Sequence, residues 1–417
     1  RYTITPIKDG YVPTRRNIEI HMDETIDDLR ITLCKTVGGG TGNNSGNQID
    51  TIRPDVGLNN YSQVLSLGDY HSGVIAQNGS LYMWGSNDFG QIGDGTTEDR
   101  YKHKPTKILD HVIAVSLGGC HSGAITQDGS LYMWGRNSCG QIGDGTTEDR
   151  YKPTKILDHV IAVSLGWCHS GAITQDGSLY MWGSNDYGEI GDGTTEDRYK
   201  PTKILDHVIA VSLGDRHSGA ITQDGSLYMW GYNSSGQIGD GTPGDRYKPT
   251  KILDHVIAVS LGGCHSGAIT QDGSLYMWGR NDYGEIGDGT TEDRYKPTKI
   301  LDHVIAVSLG YLHSGAITQD GSLYMWGCNN VGEIGDGTTE ERDTPNKITI
   351  PGGVALPSDL TSTISAQSEE SSSDSVPVLT AVPDSTQQAS ESEPVDQPET
   401  LEEEAVSVFK ADTTETN

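Results

Sequence analysis

Tryptophan recurs at Trp84, Trp134, Trp182, Trp230, Trp278 and Trp326, at steps of 50, 48, 48, 48 and 48 residues. From Val64 to Ile350 the chain is one unit written six times, and the long step comes from His103 and Lys104, which the other copies lack. Each unit holds four short apolar runs, VIAVSL, GAIT, SLYMW and YKPTKIL, divided by LG, QDGS, the Gly-rich GEIGDGTT and LDH. Four strands per period follow. Short meandering strands cannot bury their faces alone, and a repeat of this length predicts sheets stacked as blades around an axis. In the SLYMW run Leu131 and Met133 face one way and Tyr132 and Trp134 the other, so both faces are apolar, as a sheet sandwiched between two neighbours requires. Pro153 and its equivalents fall in the fourth run, where an edge strand tolerates a missing donor. The predicted fold class is all-β, a β-propeller of four-stranded blades.

The unit VSLGGCHSGAITQDGSLYMWG, continued by RNDYGEIGDGTTEDRYKPTKI, resembles the regulator of chromosome condensation repeat. The features it shares are a Gly then His, a small apolar strand, an acidic-Gly turn, Trp-Gly, Asn, and a Gly-x-hydrophobic-Gly loop. The resemblance spans about 290 residues. It implies a propeller, usually of seven blades in the family, where six copies are counted here. TIRPDVGL (51–58) is similar to a decayed YKPTKIL run and offers an N-terminal strand to help close the ring.

The flanks differ in kind. Residues 1–37 alternate apolar and polar in YTITPI, NIEIHM and LRITL, the pattern of short antiparallel strands. Through TITPIKDGYVPTRRNIEI this piece resembles the end of an immunoglobulin-like or transthyretin-like module of bacterial surface proteins. Residues 38–60 begin with GGGTGNNSGN and read as a linker with a closing strand, and 61–350 hold the repeats. Residues 351–417 carry 14 acidic side chains against Lys410 alone and are rich in Ser, Glu and Pro, so they are expected to be disordered. The formal charge of −29 argues against nucleic acid as a partner, since phosphate neutralisation needs stripes of Lys and Arg. No run approaches the roughly 18 apolar residues of a membrane span, so no membrane insertion is expected. The surface-module resemblance suggests an extracellular or cell-surface setting, with the cytoplasm as the alternative.

Candidate chemistry is sparse. His71, His121, His169, His217, His265 and His313 occur once per unit, beside Cys120, Cys168 and Cys264 in three copies but beside Tyr70, Arg216 and Leu312 in the others. A histidine indifferent to its neighbour is expected to be structural, bonding a turn, rather than one of four convergent zinc ligands. His111, His159, His207, His255 and His303 in the LDH turn are read the same way. Cys120 and Cys168 hold equivalent places in consecutive blades, and sheets about 10 Å apart exceed the roughly 7 Å reach of a disulfide, so free thiols are expected. GDGTTED lacks the ligand ladder of a calcium loop, and its glycines suit left-handed turns. Near-identical units would place the same groups six times over, whereas catalysis needs unlike groups to converge. No metal, cofactor or catalytic residue is assigned, and no enzyme activity is expected.

The copies differ at few places. Before HSG the pairs read DY, GC, WC, DR, GC and YL; after WG the residue is S, R, S, Y, R or C; after the next Asn come DF, SC, DY, SS, DY and NV. In an up-and-down meander the first and third connections share one end of the sheet, so these positions are predicted on one face. The opposite connections read QDGS in every copy but the first, which has Asn78, and LDH in all five that have it. Drift or loop tolerance should have struck both ends, and the residue types chosen are those of binding surfaces. The expected partner-binding residues are Asp69, Tyr70, Phe89, Arg136, Trp167, Tyr187, Asp215, Arg216, Tyr232, Arg280, Tyr283 and Tyr311. The expected role is a non-enzymatic scaffold for a protein partner that the sequence does not identify. Guanine-nucleotide exchange on a small GTPase, which the family's name-giving member implies, and inhibition of a secreted enzyme are the alternatives.

Overall fold

The computed structural model describes residues 64–98, 104–351 and 353–354, all within one compact unit, Val56–Asn417. The readings of 1–37, 38–60 and most of 351–417 lie outside the described residues. Among the described residues, twenty-four strands form six four-stranded antiparallel sheets, each a meander in chain order. The first blade is β1 (Leu65–Leu67), β2 (His71–Ile75), β3 (Leu81–Gly85) and β4 (Thr106–Leu109). The second is β5 (Val112–Leu117), β6 (His121–Thr126), β7 (Leu131–Gly135) and β8 (Arg150–Leu157), and blades 3 to 6 repeat it over 160–205, 208–253, 256–301 and 304–348. The first strands of all six blades line a common cavity, and the fourth strands, with Pro153 and its equivalents, are the outer edges.

The apolar clusters explain why both strand faces are hydrophobic. Leu131, Met133 and Ile142 of blade 2 pack against Val160, Val163, Leu165 and Trp182 of blade 3, while Trp134 turns back to Leu81, Met83 and Ile92 of blade 1. Every core is therefore shared between neighbours, and no blade could bury its faces alone.

Polar bonds fix the spacing. The Trp134 indole N–H donates to the Gln91 carbonyl at 2.9 Å, and Ser122 Oγ donates to the same oxygen at 2.7 Å. His71 Nε2 lies 2.9 Å from Ser122 Oγ. Because the serine proton goes to the carbonyl, Nε2 must be the donor, which assigns the neutral Nε2–H tautomer. The histidine bond recurs at 3.0, 3.1, 3.0 and 3.0 Å in the next four boundaries. The histidines are structural as expected, but they bond the next blade and not a turn. Burial holds those of His71 and His169 at a pKa of about 4, and those of His121, His217 and His265 at about 3.

The LDH histidines have a separate role. His111, His159, His207, His255 and His303 sit at φ of 57 to 59°, in the left-handed region. The loop glycines also have a definite one: a Cβ on Gly143 (φ 86°) would meet the Trp182 indole at 2.7 Å. At Gly335, the same position in blade 6, a Cβ would meet nothing within 4 Å, so the trailing side of the sixth blade carries no following tryptophan.

Candidate partner-binding face

The varying positions all lie at the end of the sheets formed by the first and third connections. What holds these turns is main chain. The amide of Arg136 donates to the Cys120 carbonyl at 3.0 Å, that of Ser184 to Cys168 at 3.0 Å, and that of Tyr232 to Arg216 at 2.9 Å. None of these bonds asks anything of the side chain at the varying position. Beneath each turn a fully buried Asn braces the loop: Asn137 Nδ2 donates to the Thr146 and Glu148 carbonyls at 3.0 Å, and its Oδ1 accepts from Ile142 N at 2.9 Å. The Gln or Glu after the glycine accepts the amide two residues back, Cys139 N to Gln141 Oε1 at 2.9 Å and Tyr187 N to Glu189 Oε2 at 2.8 Å. Burial pushes Glu189 up to about 7.

Four of the expected residues form one cluster. The Arg216 guanidinium carbon lies 5.1 Å from the centres of both the Trp167 and Tyr187 rings, and Nη1 donates to Tyr187 Oη at 3.1 Å. Tyr232 stands edge-on to Tyr187 with centroids 4.8 Å apart. The cluster draws on blades 3 and 4, so it exists only because the two stack. Two pairs repeat the motif on a smaller scale, Arg136 over Phe89 at 5.0 Å and Arg280 over Tyr283 at 5.7 Å. Arg136 is half-buried.

Asp69, Trp167, Asp215 and Tyr311 surround the mouth of the central cavity, whose volume is about 830 Å³ and which continues over Gly315, Ile317 and Met325 on the open side of blade 6. Burial, then the Asp69 charge, pushes Asp215 up to about 7, and burial also raises Asp69. Trp167 is 42% exposed, Tyr311 65% and Tyr70 68%, large apolar areas left in water. Tyr70 and Tyr311 stand apart from the stacked cluster.

The opposite end is built differently. Asp128 Oδ1 accepts Thr126 Oγ1 at 2.6 Å and Ser130 N at 3.1 Å, Gly129 sits at φ 79°, and Lys155 pairs with Asp158 at 2.6 Å. Main chain then joins consecutive blades, Gln127 N to His111 O at 2.8 Å and Val160 N to Gly129 O at 2.9 Å. Side chains are therefore required here, and their constancy follows from structure. The sequence argument that tolerance would act equally at both ends is corrected by this asymmetry. Variation alone does not mark a binding face.

Among the described residues Cys120, Cys139, Cys168, Cys264 and Cys328 form no disulfide. Among the described residues no group of three or more His, Cys, Asp or Glu could hold a metal ion, and no helix is long and apolar enough to cross a membrane.

Comparison with known proteins agrees with this architecture. The regulator of chromosome condensation (RCC1) repeat matches residues 78–125, 128–173, 176–221, 224–269, 272–317 and 320–361, more than half of the chain. No curated protein matches in sequence. The fold is similar to yeast RCC1 (Prp20) bound to Kap60, with 22% identity over 73% of this chain and 83% of that one and a TM-score of 0.62. It is similar to Prp20p of Saccharomyces cerevisiae, solved in connection with its binding to Gsp1p and histones (22% identity, 73% and 85% covered, TM-score 0.61), and to human WBSCR16 (24%, 69% and 81%, 0.60). With six matched repeats, each bearing the Trp-Gly and the Gly-rich loop described above, the chain belongs to the regulator of chromosome condensation repeat family.

Proposed function

We propose that this chain is a protein-interaction scaffold whose partner docks on the varying end of the propeller. The observation that carries the reading is the Trp167, Tyr187, Arg216 and Tyr232 cluster, a cation held over two rings with a third ring at its edge. Trp, Tyr and Arg dominate interface energies because they bring large contact area with little rotamer freedom to lose. The flanking Arg136–Phe89 and Arg280–Tyr283 pairs and the exposed Tyr70 and Tyr311 extend the surface on either side. Asp69 and Asp215 at the cavity mouth add acidic groups, which favour a partner presenting a basic side chain near the axis. Relatives of the same fold bind proteins, Kap60 in one case and Gsp1p and histones in another, which supports a protein as the ligand class.

The test is site-specific crosslinking with the full chain. A photoreactive side chain replaces Trp167 in one sample and the exposed Gln175, at the opposite end, in another. The reading expects adducts to partner from position 167 alone. Adducts from position 175 with none from 167 would place the partner elsewhere.

A further inference from the structure

Each blade places one residue at the mouth of the central cavity, the first of the varying pair before HSG. In chain order these are Asp69, Gly119, Trp167, Asp215, Gly263 and Tyr311, so acid, glycine and aromatic follow one another twice. Packing accounts for the last two. A Cβ on Gly119 would meet Trp167 Cδ1 at 2.6 Å, and one on Gly263 would meet Tyr311 Cδ2 at 2.9 Å, so each ring lies against the glycine of the preceding blade and is held at the rim. Packing does not account for the acids. Among the described residues neither Asp69 nor Asp215 has a hydrogen bond or an ion pair, and Arg216, beside Asp215 in the chain, bonds Tyr187 instead. We propose that this collar is a subsite for one cationic side chain, a lysine or arginine of the protein partner.

The inference rests on the reading of the varying end as the docking face, and it names the group recognised at the centre of that face. Trp167 and Tyr311 keep ring area in water, and an aromatic face attracts a cation and covers its methylene stem. Asp215 is half-buried with no partner, and a carboxylate so placed gains more than an exposed one from an incoming positive charge. Burial already pushes it up to about 7. Below the rim the cavity wall carries Leu117, Leu165, Leu213 and Leu261, so a charge gains nothing by going deeper and stays at the collar. An anionic ligand would meet two carboxylates, and among the described residues no third ligating group joins them to hold a metal ion.

The probes are three short peptides, acetyl-Gly-Arg-Gly-amide, acetyl-Gly-Lys-Gly-amide, and the citrulline analogue of the first, which keeps the shape of arginine and loses its charge. Binding to the full chain is measured by saturation-transfer NMR titration, which tolerates weak affinity. The expected result is that both cationic peptides bind and that the citrulline peptide binds about tenfold more weakly, as the loss of a hydrogen-bonded charge implies. The doubly substituted chain Asp69→Asn, Asp215→Asn should lose the same factor for the cationic peptides and none for citrulline. Tyr187→Ser, outside the collar, should leave all three affinities unchanged.

A melting curve of the double variant confirms that it is folded. No binding of the cationic peptides to the parent chain, equal binding of arginine and citrulline, or full arginine affinity in the double variant would each overturn the proposal. These outcomes are separable from the fate of the docking reading. Crosslinks to partner from position 167 together with charge-independent peptide binding would sink the subsite and keep the docking face, whereas crosslinks from position 175 alone would sink the docking face whatever the peptides do.

Discussion

The two ends of the blades are made of the same chain, copied the same number of times, yet one end has diverged and the other has not. At the constant end the bonds run through side chains: Asp128 holds Thr126 and Ser130, Lys155 holds Asp158, and His111 and Gly129 occupy left-handed backbone. At the varying end the turns close through amides and carbonyls, such as Arg136 N to Cys120 O, and through an Asn and a Gln or Glu that do not vary in role. The first end needs its side chains to fold. The second can change them without touching the fold, and is free to be shaped by what it meets.

The largest expected effect contrasts two tryptophans. Trp134 is fully buried between blades with its N–H bonded to Gln91, so Trp134→Ala should cost about 3–5 kcal/mol in denaturant unfolding. Trp167→Ala at the varying end should move stability by less than about 0.5 kcal/mol. Equal losses would mean that the varying end is structural after all.

Acid should act next most strongly, through the inter-blade histidines. Their folded pKa values of about 3 to 4 lie below the ordinary 6.5, so the stability they contribute is complete above 6.5 and is lost as pH falls towards 4. A melting temperature that stayed level from pH 7 to pH 4 would contradict the buried neutral ladder.

A backbone comparison is smaller. Gly129→Ala puts a Cβ on a residue at φ 79°, 3.3 Å from His159 Cα, and should cost about 1–2 kcal/mol from the left-handed conformation alone. Ser138→Ala, exposed at the other end, should fall within about 0.5 kcal/mol of the parent.

A further effect has the opposite pH sign to the histidines. Asp215 has its pKa raised from 3.8 to about 7, so what it contributes is complete below 3.8 and declines as pH rises through 7. Asp215→Asn should raise the melting temperature at pH 8 and leave it unchanged at pH 3.5. A gain at low pH instead would remove burial as the cause.

Much of this was legible in the sequence because repetition exposes roles. The tryptophan spacing and the two-faced LYMWG run dictated stacked four-stranded blades, and the six sheets follow. The meander rule put the first and third connections at one end, where Trp167, Tyr187, Arg216 and Tyr232 do meet. What could not be read depends on the lateral stacking of blades. His121 looked like a turn residue because its partner, Ser170, lies 49 positions away on another sheet. The constancy of QDGS and LDH was visible, but its cause lay in hydrogen bonds that only coordinates reveal.

The central claim is that the varying end binds and the constant end folds. It is tested most directly by measuring affinity for the captured partner and melting temperature together in two full-length variants. One carries Trp167→Ser, Tyr187→Ser, Arg216→Ser, Tyr232→Ser and Tyr283→Ser. The other carries Gln127→Ala, Gln175→Ala, Gln223→Ala and Gln271→Ala, side chains at the constant end whose main chain alone makes the blade contacts. The account predicts that the first loses binding at an unchanged melting temperature and that the second keeps both. Retained affinity in the first variant, with affinity lost in the second at unchanged stability, would contradict it.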